Sequence, residues 1–240
     1  MVQIIKLNSI DSTNSYIENL INKIDLEDFS AVVADYQTNG CGQYGTKWSS
    51  ERGKNLLISI FKKNIQTDIK NQFYINMRVS LAVFMTLKSL EIPELSIKWP
   101  NDILYRNYKI SGILVKLIIK NKSIQHAIIG IGINVNQNNF ENLPNAISIS
   151  NIINDRYDLN DLINILMKKL SFYFNVKDFF ELKDTYERAL FRKNKSSEFV
   201  TKEKHNFFGI IEGVSNSGKL CIKIDGFSEE FDAKSIKMHY

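Results

Sequence analysis

The sequence predicts a mixed α/β (α+β) domain followed by a small β-barrel. Three patterns carry this prediction: apolar residues at three- and four-residue spacing over 73–90, two apolar runs at 110–119 and 124–135 joined by a short turn, and short β-prone pieces with tight turns towards the end of the chain. The first pattern is typical of an amphipathic helix and the second of a β-hairpin. We therefore predict domains at 1–192 and 193–240, the second being the small barrel.

The first residues predict a strand and then a helix. Val2–Leu7 is apolar, and the polar segment 8–14 that follows contains helix-capping residue types. Ser15 and Glu18 have the spacing of a capping box, which predicts a helix with an apolar face. The residues of that face are Tyr16, Leu20 and Ile24.

Further elements follow in order along the chain. Residues 55–61 are largely apolar, so we predict a strand that is buried on both faces. The other predicted elements are strands at 29–36 and 95–99, helices at 159–170 and 179–190, and barrel strands at 198–200, 207–214, 219–224 and 230–231.

Composition and charge exclude some classes of protein. The chain has 240 residues, 44% of them hydrophobic, and a net charge of +5. Its basic residues are scattered, which favours a solvated surface over a nucleic-acid or membrane patch. Cys41 and Cys221 lack metal-ligand spacing, so we expect neither a zinc site nor a disulfide framework. The start of the chain lacks a signal peptide and no apolar run reaches spanning length, which predicts a cytoplasmic protein outside membranes.

Gly40, Gly42 and Gly45 have the G-x-G-x-x-G spacing of a dinucleotide-binding turn. That turn requires a helix at the third glycine, whereas here a polar stretch and then a strand follow. The dinucleotide reading therefore fails. Two interpretations stay open at this point. The loop either binds a ligand, with backbone N–H groups close to an anion and the flat face of Trp48 over a ring, or it is a long loop with structural glycines.

The segment Lys98–Asp102, with the sequence KWPND, places charged and polar side chains at the end of a predicted strand. Lys98 suits phosphate, and Asn101 and Asp102 supply oxygen ligands of the kind that Mg²⁺ accepts, although Asn-Asp also starts turns. Lys109 enters an apolar strand that contains Gly112, either as a positioned cation or as a snorkelling edge residue. A second such strand carries Gly130, Gly132 and Asn134, where glycines can also mark a bulge.

Taken in order, these stretches resemble the biotin protein ligase family. The matching stretches are 11–14 (DSTN), 36–48 with the glycine loop, 98–102 (KWPND), 109–114 (KISGIL) and 130–134 (GIGIN). The resemblance implies a class II synthetase-like catalytic domain, with a mixed, mainly antiparallel sheet flanked by helices, and a small C-terminal β-barrel. It also implies an enzyme that forms biotinyl-5′-AMP from biotin and MgATP, and then transfers biotin to one lysine of a biotin carboxyl carrier domain of a biotin-dependent carboxylase.

The resemblance also implies roles for individual residues. Lys109 and Lys98 would be catalytic, and Asp102 would be a metal ligand for Mg²⁺. The implied biotin-binding residues are Ser12, Thr13, Asn14, Gln37, Gly40, Cys41, Gly42, Gln43, Trp48, Lys109, Gly112 and Gly130. The implied ATP- or adenylate-binding residues are Cys41, Gln43, Trp48, Lys98, Asn101, Lys109 and Asn134.

Cys41 departs from the family pattern, because the resembling loops usually carry an arginine there that helps to clamp the activated carboxyl end. A cysteine has no cationic fork. We expect either that Lys47, Arg52 or Lys54 partly substitutes, or that the adenylate is held less tightly.

Alternative functions are a lipoate-protein ligase or octanoyl transferase of similar fold, and a nucleic-acid-binding module. The KWPND stretch and the barrel favour biotin. The catalytic pattern begins almost at Met1, so we expect no helix-turn-helix and no specific DNA binding. A homodimer is possible, since dimers are common in the family.

Overall fold

A computed structural model describes residues 3–141 and 143–240. Its larger sheet has eight strands in the order β1-β2-β3-β8-β7-β6-β5, with β4 paired to β8. These strands are β1 (Ile4–Leu7), β2 (Ala31–Ala34), β3 (Leu56–Lys62), β4 (Thr67–Asp68), β5 (Leu95–Lys98), β6 (Asp102–Tyr105), β7 (Tyr108–Lys120) and β8 (Ser123–Ile133). Only β1 and β2 pair in parallel. The predicted mixed, mainly antiparallel sheet is confirmed.

Helices cover both faces of this sheet. They are α1 (Thr13–Leu20), α2 (Gln72–Lys88), α3 (Ile149–Ile153), α4 (Leu159–Asn175) and α5 (Phe179–Arg188). The apolar residues of α2, α4 and α5 join those of the sheet in the main core. A smaller apolar cluster on the other face gathers around Ile17 of α1. None of the described helices is long and apolar enough to cross a bilayer.

The predicted start of α1 is wrong. Ser12, with an extended backbone, is the N-cap, so the helix begins at Thr13 and Ser15 lies inside it. The apolar face therefore shifts: Ile17 is fully buried, whereas Ile24 lies beyond the end of the helix and is 49% exposed. Within the predicted first strand, Val2 lies outside the described residues.

The second, smaller sheet has five antiparallel strands in the order β12-β11-β10-β9-β13. They are β9 (Ser196–Thr201), β10 (Asn206–Val214), β11 (Leu220–Ile224), β12 (Phe227–Phe231) and β13 (Ile236–His239). Within 196–240, β12 and β13 are edges that do not pair with each other, so the predicted small β-barrel has the hydrogen bonding of an open sheet. Closure is unnecessary because the inner face, including Phe199 and Ile222, is buried in the main core.

The two sheets meet along α5 and the end of β5. The Trp99 indole N–H donates to the Gly218 carbonyl at 2.9 Å. The Glu187 carboxylate accepts from the Val214 N–H at 3.0 Å. The boundary at residues 192 and 193 stays a prediction, although the segment after it already bridges to β10 through Lys193 and Ile211.

Candidate functional site

A cleft of about 490 Å³ lies between the larger sheet, the glycine loop and the smaller sheet. Its volume is within the range of small-molecule sites. Fourteen of the predicted site residues line it: Ser12, Thr13, Asn14, Gln37, Cys41, Gly42, Gln43, Trp48, Lys98, Asn101, Asp102, Lys109, Gly112 and Gly130. Residues that are far apart in sequence are thus brought to one place.

The register of the sheet forms the floor of this cleft. One row of cross-strand partners runs from β5 to β3 through Lys98, Asp102, Gly112, Gly132 and Leu57. Partners in one row point to the same face of a sheet. Two glycines in the middle of the row leave a flat recess, and the charged residues Lys98 and Asp102 stand at one end of it.

The Trp48 ring lies directly on the two glycines of the row. A Cβ atom added to Gly132 would be 2.5 Å from the ring atom Cε2, and one added to Gly112 would be 2.9 Å from Cζ3. A side chain at either position would therefore displace the ring. The Trp48 indole N–H is buried and has no hydrogen-bond partner among the described residues. A buried polar atom of this kind at a cleft is suited to a ligand.

The other end of the floor carries an uncharged polar network on helix α1. Asn14 donates from Nδ2 to the Ser59 hydroxyl at 3.0 Å, and Ser59 also contacts the Thr13 hydroxyl at 2.8 Å. Gly130, the register partner of Ser59, makes room, since an added Cβ would collide with the Asn14 amide. The Gln37 side-chain oxygen accepts from both the Thr13 N–H and its hydroxyl, at 2.8 and 2.9 Å.

The side-chain oxygen of Asn14 is the one atom of this amide that lacks a hydrogen-bond partner among the described residues. Asn14 is 6% exposed, and its Oδ1 atom is buried without a partner among the described residues. Leaving a buried acceptor unpaired is costly, so the network is complete only when a donor occupies the cleft. Sequence reasoning missed Ser59; its one signal was a hydroxyl residue in the middle of an otherwise apolar strand.

Lys109 and Asp102 form an ion pair at the charged end. Lys109 Nζ lies 2.8 Å from Asp102 Oδ1, with the two side chains 37% and 21% exposed, and 5.7 Å from the centre of the Trp48 ring. The Lys109 side chain also packs over Gly112, 3.2 Å from the position of an added Cβ. The lysine is therefore a positioned cation inside the cleft.

A resident metal does not fit this end of the cleft. Asp102, the predicted ligand, is already paired with Lys109. The Asn101 amide Nδ2 donates to the Ile113 carbonyl at 2.5 Å. Within 3–141 and 143–240, no group of three His, Cys, Asp or Glu side chains is arranged to hold a metal ion. Mg²⁺ typically binds through one or two carboxylates together with substrate phosphates, so an ion here would have to arrive with its substrate.

The glycine loop folds as a miniature hairpin over the cleft. Cys41 and Lys47 are antiparallel bridge partners, and the Trp48 N–H donates to the Gly40 carbonyl at 2.9 Å. The loop reverses at Tyr44 and Gly45, both with positive φ. A strand precedes and a strand follows this loop, with only a short 3₁₀ turn at 43–45 between them, which confirms that it is no dinucleotide turn.

Of the three cations predicted to substitute for the missing arginine, Lys47 is the one that lines the cleft. The Arg52 guanidinium donates to the Asn8 carbonyl at 2.9 Å and lies over the Tyr36 ring. Lys54 lines a separate polar pocket. Cys41 itself is an exposed free thiol at the loop surface.

Two predicted site residues lie outside the lining of the cleft. Gly40 instead allows the loop to close, because an added Cβ would be 2.5 Å from the Trp48 carbonyl oxygen. Asn134 is buried, and its Nδ2 donates to the carbonyls of Lys109 at 3.3 Å and Ile147 at 3.1 Å. Its predicted contact with adenine stays a prediction.

The smaller sheet supplies a wall of the cleft that sequence reasoning missed. The Lys98 ammonium donates to the Tyr240 hydroxyl at 3.0 Å. Burial raises the pKa of Tyr186 above its usual range, so its hydroxyl stays protonated. This hydroxyl donates to the Pro100 carbonyl at 3.4 Å. The smaller sheet contributes Phe199, Ile236, Lys237 and Met238 to this wall, and Leu190 and Phe191 from the segment after α5 extend it.

Comparison with known proteins places this cleft in a family. A sequence model of the biotin/lipoate A/B protein ligase family matches residues 7–134, more than half of the chain. The chain belongs to this family. The matched segment contains α1, the glycine loop and strands β2 to β8, and therefore all of the floor described above.

Relatives within the family extend the likeness to most of the chain. The bifunctional ligase/repressor BirA of Escherichia coli is 27% identical over 233 residues, covering 90% of this chain and 68% of that protein. The biotin--[acetyl-CoA-carboxylase] ligase of Mycobacterium tuberculosis is 23% identical over 202 residues, covering 81% and 73%. The crystal structure of the Aquifex aeolicus biotin protein ligase with biotin and ATP matches with a TM-score of 0.82 at 25% identity, over 100% of this chain and 99% of that one.

Proposed function

We propose that this family member is an ATP-dependent biotin protein ligase. It forms biotinyl-5′-AMP from biotin and MgATP and transfers biotin to a lysine of a biotin carboxyl carrier domain. One observation carries the choice of substrate: the buried, unpaired Asn14 Oδ1 at the uncharged end of the cleft. The named relatives and the Aquifex aeolicus complex support the same conclusion.

The uncharged end suits a ureido ring. Such a ring has two N–H donors and one carbonyl acceptor, and the Ser12, Thr13, Asn14 and Gln37 side chains offer hydroxyls and amides to pair with them. The dithiolane of lipoate and the alkyl chain of octanoate carry no N–H donor for Asn14. A site built to hydrogen-bond a polar substrate discriminates strongly against an analogue that lacks the polar group. We therefore favour biotin over lipoate or octanoate.

The charged end suits the first reaction. A biotin carboxylate oxygen attacks the α-phosphorus of ATP, the bond from that phosphorus to the bridging oxygen breaks, and pyrophosphate leaves. This step brings like charges together, so cations held in place stabilise its transition state. Lys109, oriented by Asp102, would lie beside the carboxylate and α-phosphate. Lys98 would contact the phosphates, and Mg²⁺ would enter as part of the MgATP substrate.

The second reaction transfers the acyl group. The amine nitrogen of the carrier lysine attacks the acyl carbon, the bond from that carbon to the AMP oxygen breaks, and the nitrogen loses a proton. The mixed anhydride must be protected from water between the two steps. The loop with Cys41, Gly42, Gln43 and Trp48 would cover it, with Trp48 against the ligand, and Gly112 and Gly130 would leave room for that ligand. Asn101 and Asn134 would complete the adenylate end.

Three further properties stay predictions: homodimer formation, the lack of specific DNA binding, and a cytoplasmic location. They depend on surfaces or on cellular context outside the cleft, and the proposed chemistry does not need them.

The proposed function is tested by biotin transfer. The purified protein and MgATP are incubated with a biotin carboxyl carrier domain and equal concentrations of biotin, lipoate and octanoate, and the group attached to the carrier is identified by mass spectrometry. We expect one biotin per carrier and none on a carrier whose acceptor lysine is replaced by arginine. Lipoate or octanoate on the carrier, with no biotin, would overturn the proposal.

A further inference from the structure

We propose that Tyr240 is a positioning residue for Lys98, so that ATP binding depends on a side chain of the segment after β13. The inference rests on the proposed function, in which Lys98 contacts the phosphates of ATP. Tyr240 lies 142 positions from Lys98 in sequence, yet its hydroxyl is a hydrogen-bond partner of the Lys98 ammonium.

Tyr240 contacts the ammonium in two ways. Lys98 Nζ lies 3.0 Å from the Tyr240 hydroxyl oxygen and 4.4 Å from the centre of the Tyr240 ring. A hydroxyl acceptor and an aromatic face both attract a cation. A lysine side chain otherwise has four rotatable carbon–carbon bonds and considerable rotamer entropy, which these contacts reduce before a ligand arrives.

The partner of Lys98 matters because it is neutral. Asp102 is the cross-strand neighbour of Lys98, but its carboxylate is paired with Lys109 at 2.8 Å. Tyr240 therefore orients the Lys98 ammonium without cancelling its charge. An ammonium has three N–H donors, and the hydroxyl uses one, so two remain for phosphate oxygens.

Tyr240 is itself held by residues attached to strand β5. Its ring packs edge-on against Phe191, with ring centres 5.2 Å apart and an angle of 68°. The Phe191 N–H donates to the carbonyl of Ile97, the residue before Lys98, at 2.8 Å. Phe191 and β13 also line the cleft. Phe191 thus links Tyr240 to the strand that carries Lys98.

The geometry also gives the direction of the effect. If Tyr240 occupied the position of the phosphate, its removal would tighten ATP binding. If it orients a lysine that keeps two free donors, its removal weakens ATP binding and leaves biotin binding unchanged. The second direction follows because the Tyr240 hydroxyl occupies one of the three N–H donors of Lys98 and leaves two for phosphate. Biotin binding is unchanged because the biotin-pairing groups lie at the opposite end of the cleft.

The test is a double-mutant cycle between the two residues. Tyr240→Phe keeps the ring and removes the hydroxyl, and Phe227→Leu, at a 75% exposed aromatic of the same sheet, is the control. The KM values for ATP and biotin are measured by biotin-dependent ATP–pyrophosphate exchange. The affinity of biotin-saturated protein for a non-hydrolysable ATP analogue is measured by calorimetry, also in Lys98→Gln and in the Lys98→Gln/Tyr240→Phe double variant.

We expect Tyr240→Phe to raise the KM for ATP about threefold to tenfold, the value of one ordinary hydrogen bond, with an unchanged KM for biotin. In the Lys98→Gln background the same change should have no further effect on analogue affinity. An unchanged or lowered KM for ATP, or an equal loss in both backgrounds, would overturn the inference. If the unmodified protein shows no exchange with biotin, the proposed function itself fails.

Discussion

The amide of Asn14 is bonded at one end and free at the other. Its nitrogen is fixed by Ser59 at 3.0 Å, so the orientation of the amide is set before a ligand binds, and its oxygen is directed into a buried site without a donor. Such a group contributes to discrimination when a substrate supplies the missing N–H. At the scale of single residues, Asn14 is therefore the group to which the proposed function assigns the choice of biotin.

Asn14→Ala should raise the KM for biotin about tenfold to hundredfold, because the ureido N–H then loses its buried acceptor. The KM for ATP should change little, since Asn14 lies at the uncharged end. Asn19→Ala, at an exposed asparagine of the same helix, is the matched control. Steady-state pyrophosphate exchange measures both constants. Equal effects of the two variants would contradict the assigned role.

Cys41→Arg should slow the release of the biotinyl adenylate, because a guanidinium at the rim of the cleft can pair with the activated carboxyl and phosphate groups. The position lines the cleft opposite Lys47, so the new side chain can reach the ligand. A single-turnover assay with labelled biotin measures release. Cys41→Ser, which adds no charge, should leave the rate unchanged. Unchanged or faster release from Cys41→Arg would count against this idea.

In strand β8, core residues alternate with residues that face the cleft. Its side chains at 129, 131 and 133 are isoleucines of the main core, whereas Gly130 and Gly132 face the cleft. Successive residues of a strand point to opposite faces, so one strand can bury apolar groups and also leave a recess for a ligand. At the scale of the element, the recess is a property of the pattern Ile-Gly-Ile-Gly-Ile.

Gly132→Ala should weaken ligand binding far more than it lowers stability. The added methyl group would lie 2.5 Å from the Trp48 ring, so the ring must leave the floor. Trp48 lies on a loop between two strands instead of in the core, and the core face of β8 is untouched. We expect a clear rise in the KM for biotin with a small change in the midpoint of thermal unfolding. Gln125→Ala, a change on the same strand outside the cleft, should alter neither.

The sequence predicted those elements whose own residues specify them, and it missed those that depend on pairing with distant strands. The hairpin of β7 and β8 and the helix α2 are long and periodic, so their patterns alone identify them. β6 and β13 are four residues each and exist because neighbouring strands pair with them. The start of α1 was misplaced because Ser12 and Ser15 are both residue types that cap helices, and the capping-box spacing of Ser15 and Glu18 favoured the wrong one.

The site residues also divide into those that the sequence identifies and those that only the folded structure brings together. Lys98, Lys109 and the glycines stood out by residue type and order along the chain. The Lys109–Asp102 ion pair could not be predicted, since it depends on the register between β6 and β7. The Tyr240 contact was also beyond prediction, because it depends on how the two sheets dock.

At the scale of the whole molecule, the two sheets share one core and one cleft. Residues of β9, β10 and β11 join the main core, and β13 lines the cleft. Glu187 on α5 connects the sheets: its carboxylate accepts from the Val214 N–H at 3.0 Å and pairs with Lys193 at 3.3 Å. Gly213 permits this contact, because an added Cβ would be 2.5 Å from a Glu187 oxygen. Docking of the smaller sheet is therefore specific.

Glu187→Ala should lower the free energy of unfolding by about 1–3 kcal/mol, because a largely buried N–H and a lysine lose their partner. Asp184→Ala is the matched control on the same helix, since among the described residues Asp184 makes only an exposed ion pair with Arg188, worth less than about 1 kcal/mol. Urea unfolding of both variants measures the difference. A loss from Glu187→Ala no larger than that from Asp184→Ala would show that this contact does not hold the sheets together.

The central claim is that the cleft activates biotin with ATP and selects it by its ureido ring. Biotin-dependent ATP–pyrophosphate exchange, run beside lipoate and octanoate at equal concentrations, tests it most directly. The account predicts strong exchange with biotin, and little or none with the two acids that lack an N–H donor. Exchange with lipoate or octanoate and none with biotin would contradict it.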